Sequence, residues 1–418
     1  MKKSLKLSNT ASSKLQFIIN NSIIFNYIRE NKSISRIKIS NDLNISPSAV
    51  SRMIDDLLKK EYIIEVEKLK TNRGKRPILL KVNKDKGFVI GVDLGKEKIK
   101  IALYDFCGEM INKHEGYKIT YSKNISNKAV NEIQFCLNKC CKDKKLEADK
   151  IKAICIGIPA QIDLKTGKVL GVPLYKNWRN LNLKEALEKE FDIPVYIENG
   201  ANLSALGVKS HGEGINYKDF ILVDISNGIG AGIINDGHLF RGALGSAGEI
   251  GFTIIGPENF KFKIEEKGYL EKFASVLSLK EKILKKITSG EKTIVIDMVN
   301  GNLKKIEPDT VCKAAIDGDR LANSIITESV NFLSIAIINL ILIQNPLLIV
   351  IGGSICNLPY VDELFLEPIV KKVKSSIPFN MPEINLSLLG KDAVLVGAAC
   401  MAIESIISNE FPYTIDIN

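Results

Sequence analysis

The chain has 418 residues, of which 45% are hydrophobic and 25% charged, an ordinary balance for a globular protein of two or three domains. Its net charge is +10, and the excess is local: residues 1–90 hold 19 Lys+Arg against 8 Asp+Glu, and the other 328 hold 39 against 40. A compact basic segment on a neutral body points to nucleic acid, and the other reading is a solubilising tail.

Other classes are set aside on pattern. The apolar run Phe332 to Val350 is broken by Asn339, Gln344, Asn345 and Pro346, so no membrane span is expected. The basic start, MKKSLKLSNTASSK, has no apolar region and cleavage site behind it, so export is not expected. The eight cysteines are scattered without a C-x-x-C, which suits reduced thiols in a cytoplasmic protein.

From Lys14 to Glu30 apolar residues recur at helical spacing. Ser35 suits the N-cap of a second helix, and Asn44-Ile45 a turn. Ser46-Pro47 opens a third helix with an apolar face of Val50, Ile54, Leu57 and Leu58. Strand-like runs Tyr62 to Val66 and Pro77 to Val82 flank the basic link Lys70 to Arg76. Three helices and a basic hairpin make a winged helix-turn-helix, expected over 1–86. Ser46, Ser48, Ser51 and Arg52 of the third helix are the candidates for base and phosphate contacts, with Arg73, Lys75 and Arg76 of the wing. Taken singly, each could be an ordinary solvated residue.

The body reads as an α/β fold. Strands are expected at Phe88 to Gly95, Ile99 to Phe106, Ile151 to Ile158, Pro194 to Glu198, Phe220 to Asp224, Leu347 to Ile351 and Leu386 to Leu389. Helices are expected at Asn127 to Cys140, Leu183 to Phe191, Ala201 to Val208, Gly268 to Leu277, Lys280 to Thr288, Asp309 to Asp317, Leu321 to Leu342, Tyr360 to Lys372 and Ala393 to Ile407. Between them Ser226 to Phe252 packs eight glycines into 27 residues, directly after a strand. A strand running into a glycine-rich turn suggests a small-molecule site, often one for phosphate.

This order of features resembles the ROK family of sugar kinases and repressors. The resemblance rests on the winged helix, Asp93-Leu-Gly95, GIPAQID at 157–163, the strand ending Glu198-Asn199, AGEIG at 247–251, Gly268-Tyr-Leu-Glu271 and Ile351-Gly-Gly-Ser354. It covers residues from about 15 to 408. It implies a two-lobed actin-like (sugar kinase/ATPase) body: a small lobe at 87–200, a large lobe at 201–390, and a C-terminal helix at 391–418 packing back on the small lobe. By the same resemblance Asn199, Glu249 and Glu271 match sugar contacts, and Trp178 lies in a loop near the sugar. Helix-face or capping roles are the other readings of the two glutamates, and a core position that of Trp178.

The family's chemistry is interrupted at several matching positions. The kinases' catalytic Asp is Gly200 here, which removes a general base of about 10²–10⁴-fold effect. The phosphate loops are altered at Lys96, Glu97 and Asn227. The zinc ligands are replaced by Phe252, Phe262, Ile264 and Tyr269, none of which ligates zinc. Phe252 also stands where a His would contact the sugar, which favours a smaller or different sugar. The expectation is therefore a sugar-responsive repressor acting on operator DNA as a homodimer or homotetramer, of the xylose-repressor kind, with neither zinc nor ATP. The rival readings are a sugar kinase fused to a DNA-binding head and a regulator controlled by a protein partner.

Overall fold

The computed structural model describes residues 21–66, 78–95, 98–116, 125–144, 148–163, 166–171, 182–256 and 267–410. The wing link with Arg73, Lys75 and Arg76 lies outside them, as do Lys96, Glu97, Trp178, Phe262 and Ile264.

Residues 21–30 are helical (α1) and bury Ile24, Phe25 and Ile28. A two-residue strand β1 (Ile34–Ser35) leads into α2 (Arg36–Leu43), whose N-cap Ser35 accepts the Lys38 N–H. Asn44 takes the left-handed conformation that ends α2. In α3 (Pro47–Lys59), N-capped by Ser46, the buried face is Val50, Met53, Ile54 and Leu57. Strands β2 (Ile63–Val66) and β3 (Leu79–Val82) complete an antiparallel sheet in the order β1-β3-β2. β1 has no counterpart among the expected elements, because two residues carry no visible alternation.

The first half of the body contains β4 (Phe88–Leu94), β5 (Ile99–Asp105) and β6 (Met110–Glu115). Helix α4 (Ile125–Lys144), β7 (Ile151–Ile158), a small hairpin β8 (Gln161–Ile162) and β9 (Val169–Gly171), α5 (Leu183–Phe191) and β10 (Val195–Asn199) follow. Its sheet runs β6-β5-β4-β7-β10, antiparallel on the β6 side and parallel on the β10 side. β6, an edge strand of sequence MINKHE, shows no hydrophobic alternation and is invisible to pattern for that reason.

The second half repeats the pattern. After α6 (Gly200–His211) come β11 (Phe220–Ile225), β12 (Ile229–Asn235) and β13 (His238–Phe240). Helices α7 (Tyr269–Ala274), α8 (Val276–Thr288), α9 (Val295–Met298), α10 (Pro308–Ile316) and α11 (Arg320–Gln344) precede β14 (Leu348–Gly352). Then α12 (Glu367–Ser376), β15 (Glu383–Leu386) and α13 (Ala393–Glu410) close the described chain. The sheet order is β13-β12-β11-β14-β15, again antiparallel then parallel. Asp93 and Asp224 therefore occupy equivalent places, near the end of each half's central strand.

Three expectations need correction. The middle of the glycine-rich stretch is β-structure, the strands β12 (Ile229–Asn235) and β13 (His238–Phe240). Its glycines make room for backbone: a Cβ on Gly232 would run into the Ala201 carbonyl of α6, and one on Gly248 into the Ala231 carbonyl. The last strand is Glu383–Leu386 rather than Leu386 to Leu389, because its register with β14 ends at Ile351↔Leu386 and Leu388 is left facing solvent. Finally, α11 is long and apolar enough to cross a membrane by length and composition, whatever breaks the run after Phe332. Half of its most apolar stretch is buried inside the fold, against α7, α8, α10 and α12.

Helix α13 packs on β4, β7 and α6. Close approach requires small residues there: a Cβ on Gly91 would stand 2.7 Å from the Leu395 carbonyl. The N-terminal winged-helix head packs on the body through an aromatic group. Phe106, just after β5, lies 5.9 Å from Phe25 and 5.6 Å from Tyr62 between ring centroids.

Candidate functional site

On the head, Ser46, Ser48 and Arg52 are exposed, on the side of α3 away from its buried face. The Ser46 hydroxyl accepts the Ala49 N–H at 3.4 Å and lies 3.4 Å from the Ser48 hydroxyl. Ser51 is partly buried and accepts a hydrogen bond from Arg36 at 3.0 Å. Arg36 carries no mark in the sequence. It also pairs with Asp55 at 2.7 Å and Glu65 at 3.0 Å, tying α2 to α3 and β2. No local pattern reveals it, because its partners are 15 to 29 residues away.

The second cluster lies where β10 meets α6. Asn199 ends the strand and caps the helix: its Oδ1 accepts the Ala201 N–H at 2.8 Å. Its Nδ2 donates to the Ala160 carbonyl at 3.2 Å and to Glu249 Oε1 at 3.4 Å. One amide thus ties together three loops that are far apart in sequence. Glu249 makes no capping hydrogen bond to the turn that follows it. Burial pushes its carboxyl above the usual range, and the charge of Glu271 adds to the effect. Such a carboxyl gains from any donor that favours its ionised form.

Glu271 is differently placed. Its Oε1 accepts the Ile229 N–H at 2.9 Å and its Oε2 the Gly268 N–H at 2.9 Å. Both oxygens hold backbone, locking the start of α7 against β12, and only their remaining lone pairs are free for a ligand.

Two contacts around this cluster were not anticipated. Gln161, beside Ala160, donates to the Ser246 hydroxyl across the cleft. Glu198 is buried and accepts from the Asn199 N–H at 2.8 Å, Asn202 Nδ2 at 2.9 Å and Arg241 Nε at 2.6 Å. The ion pair joins the last strand of one sheet to the loop after β13 in the other, and it fixes Asn199 from behind. A buried carboxylate without partners would be costly, which makes Arg241 integral to the site.

The two equivalent carboxylates are close enough for the charge of Asp224 to act on Asp93. Burial raises the Asp93 carboxyl, Lys100 at 3.4 Å opposes that, and Asp224 adds to it. The Ser226 hydroxyl donates to Asp224 at 2.7 Å and accepts the Ser354 N–H at 2.9 Å. Both bonds stay within the fold.

The model of the ROK family matches residues 89–405, and a winged helix-turn-helix DNA-binding model matches residues 23–64. The chain belongs to the ROK family. It is 35% identical over 394 residues to a xylose repressor of Caldicellulosiruptor bescii, covering 93% of this chain and 96% of the relative. It is 26% identical over 375 residues to the DNA-binding transcriptional dual regulator NagC of Escherichia coli, covering 88% and 89%. In fold it matches a ROK family transcriptional regulator homologous to the E. coli MLC protein, with a TM-score of 0.77 at 24% identity over 95% of this chain and 98% of that one. A ROK glucokinase from Streptomyces griseus, solved with glucose and AMPPNP, matches with a TM-score of 0.65 at 25% identity over 75% and 99%.

Gly200 is the first residue of α6, directly after Asn199. A Cβ there would meet nothing nearer than 3.9 Å, so packing does not require a glycine at this position. Phe252 ends the short turn after Glu249, and Tyr269 opens α7. Neither is a zinc ligand. Tyr269 is buried with its ring 4.9 Å from Phe273 and 6.2 Å from Phe332. These residues do not fit a zinc ion.

Proposed function

We propose that this protein is a sugar-responsive transcriptional repressor of carbohydrate-utilisation genes that binds its sugar without phosphorylating it. The observation that carries this reading is the pairing, on one chain, of a winged DNA-binding head with a ROK body. In that body Asn199 and Glu249 converge where Gly200 leaves no base. Sugar hydroxyls would donate to Glu249 and to the remaining lone pair of Asn199 Oδ1. A site built to pair hydroxyls discriminates strongly against ligands that lack them. Xylose is the first effector to test, since relatives matched over nearly their whole length are named xylose repressors.

A homodimer would set two α3 helices in major grooves about 34 Å apart. Sugar binding would then alter operator affinity to the extent that the two states differ in sugar affinity. The zinc positions, replaced at Phe252, Phe262, Ile264 and Tyr269, are proposed to leave the loop metal-free, and the altered phosphate loops to leave ATP unbound.

The test is a thermal-shift panel of pentoses and hexoses, followed by operator binding and ATP turnover with the best sugar. A sugar at about 100 times its dissociation constant stabilises the folded state by roughly 2.7 kcal/mol. Stabilisation by a sugar, a changed operator affinity and no phosphorylation are expected. Robust phosphorylation would overturn the reading in favour of a kinase, and no shift with any sugar would favour control by a protein partner.

A further inference from the structure

Helix α6 has the candidate sugar site at one end and the DNA-binding head at the other. Its N-cap is Asn199, and its 12 residues end at His211, about 18 Å away. There His211 Nδ1 lies 4.0 Å from Cys400 Sγ on α13, and the imidazole edge rests against Gly108 in the turn after β5. Helix α1 of the head reaches the same place with Arg29. Its guanidinium is close enough to depress the His211 pKa, second only to burial as the cause.

Arg29 is buried and poorly partnered. Its side chain is 6% exposed, its Nη2 is 3.9 Å from Glu404 Oε1, and its Nη1 has no hydrogen-bond partner among the described residues. Asn26 of the same helix shares Glu404 Oε1 at 3.4 Å, and its own Oδ1 is also unpaired. Well-made seams do not leave such groups open, because each missing bond to a buried polar atom is costly. A small displacement of Glu404 along this seam would close the ion pair.

The residues around Arg29 are carried by one rigid unit. A Cβ on Gly397 would run into the Leu203 carbonyl, and one on Gly207 would stand 2.5 Å from the Ala393 carbonyl. Helices α6 and α13 therefore touch backbone to backbone and cannot slide past each other. His211 belongs to α6, and Cys400 and Glu404 to α13, so all three move with the pair. The other end of α6 begins at Asn199, which Glu249 and the Glu198–Arg241 ion pair hold from two sides.

We propose that Arg29 is the residue through which the body controls the head. The α6–α13 pair shifts when sugar engages Asn199 and Glu249, and the buried guanidinium converts that shift into a new seat for α1. This rests on the sugar-responsive reading above. Arg29 is a coupling residue: it lies on α1, outside α3 and the sugar cluster, and its ion pair is with Glu404 of the body.

The test uses the full chain, a DNA duplex selected by the wild-type protein from a random-sequence pool, and D-xylose, D-glucose or N-acetyl-D-glucosamine, whichever gives the larger thermal shift. The readout is the ratio of duplex affinities without and with saturating sugar. Couplings of this kind commonly amount to about 5–150-fold. Arg29→Met should bring the ratio to within about twofold of one, while sugar affinity and sugar-free duplex affinity each stay within about threefold. A folded Arg29→Met protein with the wild-type ratio overturns the proposal, and so does loss of sugar binding itself, which would make Arg29 structural. Should Arg29→Met fail to melt cooperatively, Glu404→Gln takes its place; a reduced ratio supports the proposal and an unchanged one overturns it. A wild-type ratio of one with all three sugars defeats the sugar-responsive reading and this one with it.

Discussion

At the scale of residues, one carboxyl and one ion pair set the behaviour of the cleft. Glu249 has a raised pKa through burial first and Glu271 second. Between its ordinary value of 4.5 and the raised one, the folded state holds the proton and the unfolded state does not. The stability this contributes is therefore full below 4.5 and lost as pH rises through the raised value. Sugar hydroxyls donate to the ionised form, so sugar affinity should increase as pH rises through the same window. Calorimetry across that range should show the increase in the wild type and a flat, weaker response in Glu249→Gln, with duplex binding intact. Loss of duplex binding as well would make Glu249 structural. Arg241→Met would strand Glu198, which is 4% exposed, and should destabilise the fold by about 3 kcal/mol in denaturant melts. On the head, Arg52→Ala should weaken specific operator binding by about 1–3 kcal/mol if Arg52 reads guanine, as competition against mismatched duplexes would reveal.

Among the elements, α6 and α13 depend on what they lack. By pattern the glycines of β12 suggest a ligand loop and those of α6 and α13 suggest nothing, yet their shared role is close packing of backbone. At Gly397 an added methyl has no space, because the facing atom is a carbonyl of Leu203 rather than a movable side chain. Gly397→Ala should cost about 1–3 kcal/mol, measured as a lowered urea midpoint with an unchanged slope. Gly200→Ala, with its nearest neighbour at 3.9 Å, should cost little by the same measurement. The contrast separates a glycine required by packing from one with open space beside it.

For the whole molecule, charge and connectivity divide the work. The basic excess lies in residues 1–90, and the body is near neutral. Duplex binding should therefore weaken steeply with salt. Replacing Arg73, Lys75 and Arg76 with Gln should reduce the slope of log affinity against log salt by about one for each phosphate that is no longer neutralised. An unchanged slope would show that the wing is not on the phosphates. The Phe106 aromatic group and the seam at Arg29 both join the head to the body, beside the contact of the Cys107 thiol with the Val82 carbonyl.

Much of this was legible in the sequence because it is local. Ser46-Pro47 starts a helix wherever it stands before an amphipathic run, and the central strands Phe88–Leu94 and Phe220–Ile225 show as apolar runs closed by an acid and a turn. Motif order alone identified the family, since it depends on residue type at a position. Tertiary structure decided the rest. Edge strand β6 exists only because β5 offers its hydrogen bonds, and β12 was hidden by glycines that α6 requires. Glu271 was indistinguishable from Glu249 as a letter, yet its two oxygens are occupied by backbone from residues 229 and 268. Glu198–Arg241 and Arg29–Glu404 bring together residues 43 and 375 positions apart. No local rule encodes such partners, because only the folded chain decides which groups lose water together.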